Sequence, residues 1–139
     1  MSKSEDSDQS RINLTDDKDL INQKIKKAKT DNDPIPLEIN GLKNRHEATN
    51  LISIYASINN IGISQVLREF GGKNFSTFKS KLSESLINRI CPIGNEIKKL
   101  LQDKNYLKVI LEKGSKKAEL IAKTNLKEVY KIIGLNKFT

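Results

Sequence analysis

The sequence predicts an all-α protein, a helical bundle of five to six helices in which one long helix is kinked at Pro92. Apolar residues recur at spacings of three and four from Leu20 to Ile133, which is the period of helices with one buried face. No segment shows the alternation of apolar and polar residues that is typical of a strand. Aromatic residues make up only 5% of the 139 residues, with no Trp, so we expect one core built mainly from Ile and Leu.

The first third of the chain predicts one helix between two irregular segments. Residues 1–13 are expected to be flexible, because they contain too few apolar groups to offset the entropy lost on ordering. Residues 14–45 are expected to form a connecting helix, which starts near Thr15 or Asp16, and a linker that contains two prolines. The helix carries an apolar stripe made of Leu20, Ile21, Lys24, Ile25 and Ala28.

Three helices are predicted after the linker. The first spans His46–Asn59, and a short helix capped by Ser64 follows and stops at the Gly71-Gly72 pair. A long helix then begins at Ser76. Pro92 lies inside it, and we expect a kink there because proline removes one backbone hydrogen bond and clashes with the preceding turn.

Two further helices, Asp103–Lys113 and Ser115–Ile133, complete a predicted helical domain that spans residues 46–139. The glycine between them separates the two helices in this prediction, and Gly134 ends the second because glycine takes the left-handed C-terminal position without strain. The side chains of the last helix that are expected to point inward are Ala118, Ile121, Ala122, Val129 and Ile133.

Few residues can carry metal or covalent chemistry. The chain has one histidine, His46, and one cysteine, Cys91, whereas a zinc site needs three or four ligands, so we expect no metal site. Cys91 lies on the apolar side of the predicted long helix and is expected to be a buried, inert thiol. A single cysteine and the absence of a run of about 18 apolar residues favour a cytoplasmic protein that does not enter a membrane.

The positive charge is concentrated in the second part of the chain. The net charge is +8, and residues 1–45 contain equal numbers of basic and acidic side chains, so the whole excess lies in residues 46–139. A basic surface attracts polyanions, of which RNA is the usual one in the cytosol. The alternative is that lysines on exposed helix faces only keep the protein soluble.

Several short runs, in their order and spacing, carry a resemblance to a known family. The chain opens with Met1-Ser2-Lys3-Ser4, and a basic helix that ends in Thr30-Asp31 follows. The later runs are Asn50-Leu51-Ile52-Ser53-Ile54-Tyr55, Phe70-Gly71-Gly72-Lys73-Asn74-Phe75, Gly114-Ser115-Lys116-Lys117-Ala118 and Ile132-Ile133-Gly134-Leu135. Over nearly its full length the chain resembles the bacterial and organellar tryptophanyl-tRNA synthetases, from their nucleotide loop to the C-terminus.

The resemblance implies a role in tryptophan activation with ATP and Mg²⁺, followed by transfer to tRNA(Trp). It places Ser2, Lys3 and Ser4 in the ATP-binding loop, with Lys3 as the catalytic residue on the pyrophosphate side. It also implies that the helical domain contacts the anticodon region and that the full-length enzyme is a homodimer. The nucleotide-binding fold of the family is not in this sequence, so the isolated chain is expected to be catalytically incomplete.

Charge and helical spacing select a set of tRNA-binding candidates. They are the basic residues Arg89, Lys98, Lys104, Lys108, Lys116 and Lys127. Tyrosyl-tRNA synthetase is the nearest alternative within the class, but it usually carries an additional RNA-binding domain after the helices. An alternative of another kind is a free-standing basic helical adaptor that binds RNA or protein.

Overall fold

The computed structural model describes residues 7–135 and contains five α-helices and no strand in that range, which confirms the predicted all-α class. Two single turns of 3-10 helix, Asp8–Ser10 and Ile39–Leu42, lie between longer elements. The chain divides into two compact units, one that ends at Ile97 and one that begins at Lys98. The helices are α1 (Lys18–Lys27), α2 (His46–Asn59), α3 (Ile63–Phe70), α4 (Phe75–Gln102) and α5 (Lys104–Ile133).

Helix α1 begins slightly later than the sequence predicts. Its N-cap is Asp17, whose carboxylate accepts the backbone N–H of Leu20 at 2.9 Å. The preceding residues instead form a turn in which Asp16 N–H donates to the carbonyl of Asn13 at 3.1 Å. Three lysines lie in the last turn of α1, where positive charge interacts favourably with the helix dipole.

Arg45 organises the irregular segment between α1 and α2. Its guanidinium makes a two-pronged ion pair with Asp31 and donates to the carbonyls of Asp33 and Pro34 at 3.1 and 3.0 Å. The same group lies 5.8 Å from the ring centre of Phe75, a cation–π contact that connects the linker to α4. The pKa of Asp31 is lowered, chiefly by its hydrogen bonds with Arg45.

The core of the first unit surrounds four aromatic rings. Phe78 is fully buried and lies 5.1 Å from Phe70, 5.5 Å from Tyr55 and 6.2 Å from Phe75, measured between ring centres. Most of these contacts are edge-to-face, the arrangement that the ring quadrupoles favour. Aliphatic side chains of α1, α2, α3 and α4 surround the rings: Ile21, Ile25, Leu51, Ile52, Val66, Leu67, Leu82 and Leu86.

Helix α2 has the bounds that the sequence predicts, but the cap of α3 is different. α2 ends at Asn59, and its C-cap, Asn60, takes the left-handed conformation with φ of 54°. Helix α3 begins at Ile63 with Gly62 as its N-cap, so the prediction that Ser64 caps this helix is wrong. Gly72, with φ of 76°, accounts for the expected stop after Phe70, since positive φ favours glycine.

Helix α4 runs without interruption from Phe75 to Gln102 and contains Pro92. The predicted long helix is therefore present, and it continues for ten residues beyond the proline. Cys91, expected to be buried, is half-buried against the core. The kink at Pro92 stays a prediction, because helical hydrogen bonding alone does not give the bend angle.

The second unit differs from the prediction. Residues 104–133 form one helix of 30 residues, so the expected break at Gly114 is wrong. None of its side chains is buried, and those predicted to point inward are exposed, for example Ile121 at 59% and Val129 at 46%. The reason is that the described part of this unit, from Lys98 onward, holds no second helix long enough to cover the stripe. Gly134 ends the helix in the left-handed conformation, as predicted.

Candidate functional site

The tetrapeptide that carries the ATP-binding candidates lies outside the described residues, and what the structure does describe is the segment that follows it. Ser2, Lys3 and Ser4 precede residue 7, so their assigned roles stay predictions. From Ser7 onward the chain forms a 3-10 turn that Ser7 caps, with its hydroxyl accepting the N–H of Gln9 at 3.3 Å. Ile12 then packs against the hydrophobic core.

A buried ion network connects this segment to α1. The Nζ atom of Lys24 lies 2.7 Å from a carboxylate oxygen of Asp16 and 2.8 Å from one of Asp8. The side chains of Lys24 and Asp16 are 2% and 5% exposed, whereas that of Asp8 is 49% exposed. The side-chain amide of Asn13 donates to both carboxylates, at 2.8 Å to Asp8 and 3.3 Å to Asp16. The four side chains form one closed set of hydrogen bonds.

The electrostatics of the network favour the charged forms. Burial by itself would lower the pKa of Lys24, but the hydrogen bonds with Asp16 and Asp8 outweigh it and the pKa is raised. The pKa of Asp8 is lowered, first by its hydrogen bond with Lys24 and then by the one with Asn13. The network is therefore an ion cluster at neutral pH. A second cation, the guanidinium of Arg11, lies 3.5 Å from a carboxylate oxygen of Asp8, so the two acidic side chains are matched by two basic ones.

Helix α4 holds the same segment from another side. Gly94 is buried, and a Cβ atom at this position would clash with the backbone carbonyl of Leu14. Glycine is therefore needed at position 94 because two backbones approach each other closely, and not because of its φ value. Leu14 precedes Asp16 by two residues, so the turn that supplies one partner of Lys24 lies directly against α4.

A cleft of about 540 Å³ lies between α1 and the start of α4. Lys79 reaches from α4 and donates to the carbonyl of Ala28, the C-cap of α1, at 2.7 Å, and burial lowers its pKa. Among the residues that the structure describes, no acidic side chain lines the cleft, so this lining suits an anionic or carbonyl-bearing group better than a cation. The lining consists of Asn22, Lys26, Thr30, Phe75, Ser76, Lys79, Ser80 and Ser83.

Four of the tRNA-binding candidates share one side of α5. At about 100° per residue, Lys104, Lys108, Lys116 and Lys127 fall within an arc of about 140°. The apolar stripe of α5 is adjacent to this arc and overlaps it at Ala122 and Ile133. The basic arc also contains two acidic residues, each paired with a lysine. A carboxylate oxygen of Glu112 lies 3.9 Å from Nζ of Lys108, and one of Glu119 lies 2.6 Å from Nζ of Lys123. The arc is positive overall but partly neutralised.

The other two candidates lie on α4. Arg89 is exposed in the first unit, whereas Lys98 is exposed in the second unit with the lysines of α5. The structure therefore places five of the six candidates in one unit. Their contact with RNA stays a prediction.

The sequence contained a signal for the buried network that its first interpretation missed. Lys24 falls in the apolar stripe of α1, where a charged residue is buried only if it is paired. Four acidic residues precede it within 16 residues, and the structure shows that two of them, Asp8 and Asp16, are its partners. Lys79 and Gly94 could not be selected in this way, because their roles depend on elements more than 50 residues away in the chain.

Two other kinds of site are not found among residues 7–135. No three side chains of His, Cys, Asp or Glu come together there in a way that would hold a metal ion. No described helix combines the length and the apolar content needed to cross a membrane.

Comparisons with known proteins agree on one family. Residues 1–90 match the family described as tRNA synthetases class I (W and Y). The chain is 51% identical over 134 residues to a tryptophan–tRNA ligase of Agrobacterium fabrum, covering 96% of this chain and 38% of the relative. It is 46% identical over 135 residues to that of Mesorhizobium japonicum, covering 97% and 38%. It is 43% identical over 134 residues to that of Rickettsia prowazekii, covering 96% and 40%.

The chain thus spans about two fifths of the length of these curated relatives. The family match covers well over half of the chain and includes the tetrapeptide, the buried network and α1 to α3. The chain belongs to the class I tRNA synthetases of the tryptophan and tyrosine group.

Proposed function

We propose that this chain is the helical region of a tryptophan–tRNA ligase, which activates tryptophan with ATP and transfers it to tRNA(Trp). The observation that carries this proposal is the similarity over nearly the whole chain to enzymes of that name, at 51% identity for the Agrobacterium protein. A free-standing adaptor would not require the tetrapeptide at its start. The enzyme is expected to be cytoplasmic and homodimeric.

In this proposal the tetrapeptide acts on the phosphates of ATP. The ammonium of Lys3 stabilises the negative charge that develops on pyrophosphate as it departs, and the hydroxyls of Ser2 and Ser4 donate hydrogen bonds to phosphate oxygens. This stabilisation works only when ATP and tryptophan are held beside the loop in the correct geometry. The isolated chain is therefore inactive in this proposal.

A chimera tests the activity. This chain replaces the matching 134 residues of the Agrobacterium fabrum enzyme, and tryptophan-dependent exchange between ATP and pyrophosphate is measured. Exchange by the chimera supports the proposal. Lys3→Ala should slow exchange by roughly 100- to 1000-fold, the loss typical of a single group that stabilises transition-state charge. Lys18→Ala, at the exposed start of α1, is the matched control and should not affect exchange.

The second part of the proposal assigns tRNA binding to the basic surface. Lys98 and the basic side of α5 would contact phosphates, and Arg89 would add a contact from the first unit. Each phosphate contact makes the logarithm of the binding constant fall with the logarithm of salt concentration by about 0.9 on duplex RNA and about 0.7 on single strands, by analogy with DNA.

Salt titration of variants tests this assignment. Lys116→Gln combined with Lys127→Gln should reduce the slope for tRNA(Trp) by about 1.4 to 1.8 if both lysines contact phosphate. Lys117→Gln with Lys43→Gln removes the same charge elsewhere and should leave the slope unchanged. Equal affinity for tRNA(Trp) and an anticodon-swapped tRNA would remove the anticodon role and leave only non-specific charge attraction.

A further inference from the structure

We propose that the cleft between α1 and the start of α4 binds the phosphate group of a small phosphomonoester. None of the described lining residues is among those assigned above to ATP or tRNA, so the inference goes beyond the proposed function. The observation that carries it is a volume of about 540 Å³ lined by two ammonium groups and four hydroxyls. This volume lies within the range of about 300–1,000 Å³ that small-molecule sites usually have.

Helical spacing brings the polar side chains of the cleft together. Asn22 and Lys26 are four residues apart on α1 and therefore lie on the same side of it, and Thr30 follows shortly after the helix. Serine side chains are short, so the row on α4 leaves the space toward α1 open. This row on α4 consists of one lysine and three serines: Ser76, Lys79, Ser80 and Ser83.

Lys79 is the fixed cation of the site. Its Nζ atom donates to the carbonyl of Ala28 at 2.7 Å, a bond that uses one of the three donors of the ammonium group. Two carboxylates hold the buried ammonium of Lys24. Burial lowers the pKa of Lys79, by contrast, and within the described part of the chain no carboxylate offsets this effect. A bound anion would supply the missing counter-charge.

The lining suits a phosphomonoester better than an anion with a single charge. A phosphomonoester carries about 1.5 to 2 negative charges at neutral pH and has three strong acceptor oxygens. Lys26 adds a second ammonium from the last turn of α1, so the cleft offers positive charge from both helices. The hydroxyls of the cleft can donate to further oxygens. A carboxylate or an RNA phosphodiester has one charge and two unesterified oxygens, and would leave part of these donors unused.

Titrations of the whole chain test the site, with amide chemical shifts measured by NMR. The probes are inorganic phosphate and ribose 5-phosphate at constant ionic strength, and sodium acetate is the control anion. We expect saturable shifts at the amides of Ser76 and Ser80 with both phosphates and not with acetate. Lys26→Gln should weaken the binding of ribose 5-phosphate by about tenfold or more, the loss typical of one hydrogen bond to a charged group. Lys27→Gln is the matched control, because it removes the same charge from a neighbouring residue that does not line this cleft.

A variant that fills the cleft separates binding inside it from general attraction to a basic surface. Ser80→Leu adds bulk at an exposed position of α4 and changes no charge, so it should abolish the saturable shifts and leave the circular dichroism spectrum unchanged. Unchanged affinity in Lys26→Gln and Ser80→Leu, or shifts that follow ionic strength alone, would overturn the site.

Competition identifies the source of the phosphate group. A hexauridylate without terminal phosphates, at the same phosphate concentration, should not displace ribose 5-phosphate from the chain. Displacement would show that the cleft binds the backbone of RNA, and it would overturn the assignment to a phosphomonoester.

Discussion

Replacement of Lys24 by methionine should destabilise the first unit strongly, because it leaves a buried carboxylate without its cation. Methionine has a similar length and no charge, so the loss is electrostatic more than steric. The carboxylate of Asp16, 5% exposed, would keep only the two hydrogen bonds from Asn13, at 2.9 and 3.3 Å. Removal of one partner from a buried pair costs roughly 3–5 kcal/mol.

Urea denaturation of four variants tests this reasoning. The four proteins are the unmodified chain, Lys24→Met, Asp16→Asn and the double variant. Their unfolding is monitored by the near-ultraviolet signal of Tyr55, which is 7% exposed in the core of the first unit. The double variant should be more stable than the sum of the single effects by about 2 kcal/mol or more, since it contains no stranded charge. Additive effects within about 0.5 kcal/mol would refute the account.

Three further predictions follow from individual contacts. Gly94→Ala should lower the stability of the first unit by about 1–3 kcal/mol in urea denaturation because of the clash with Leu14, although helix propensity alone favours alanine. Gly114→Ala is the matched control: no atom lies near the added methyl group, so helix content measured by circular dichroism should rise slightly. Arg45→Lys should speed hydrogen exchange in the linker, because lysine cannot reproduce the fork on Asp31; protection equal to that of the unmodified chain would contradict this. Folding lowers the pKa of Asp8, so its contact with Lys24 should persist above about pH 4 and be lost as the pH falls through the pKa of Asp8 in the folded protein. A midpoint at or above 3.8 in an NMR titration of the Asp8 carboxyl would contradict this.

Local sequence patterns predict the helices, but they do not predict burial where it depends on residues that are distant in the chain. The bounds of α2 follow from its apolar spacing and from the turn after it, so the sequence predicts them. The sequence predicts a break at Gly114 because glycine is a poor helix former, yet its cost of about 1 kcal/mol is small within a helix of 30 residues. The inward face of α5 could not be assigned correctly, because periodicity shows that a stripe is apolar and not whether another element covers it.

The same distinction between local patterns and distant contacts applies to the candidate site. The role of the tetrapeptide comes from resemblance and similarity, whereas Lys24 was visible in the sequence as a charge in an apolar stripe but had no identifiable partner. Only the structure shows that its partners are Asp16 and Asp8. A sequence pattern can mark a buried charge, but pairing requires coordinates.

Two independent contacts constrain the segment between the tetrapeptide and α1. Lys24 holds it from α1 through charge, and the absence of a side chain at Gly94 lets the carbonyl of Leu14 approach α4. These contacts come from α1 and α4, which are separated in the chain by residues 28–74, so a shift of either helix would displace this segment. Lys24→Met and Gly94→Ala should therefore both lower the stability of the first unit in urea denaturation, although one changes charge and the other changes volume.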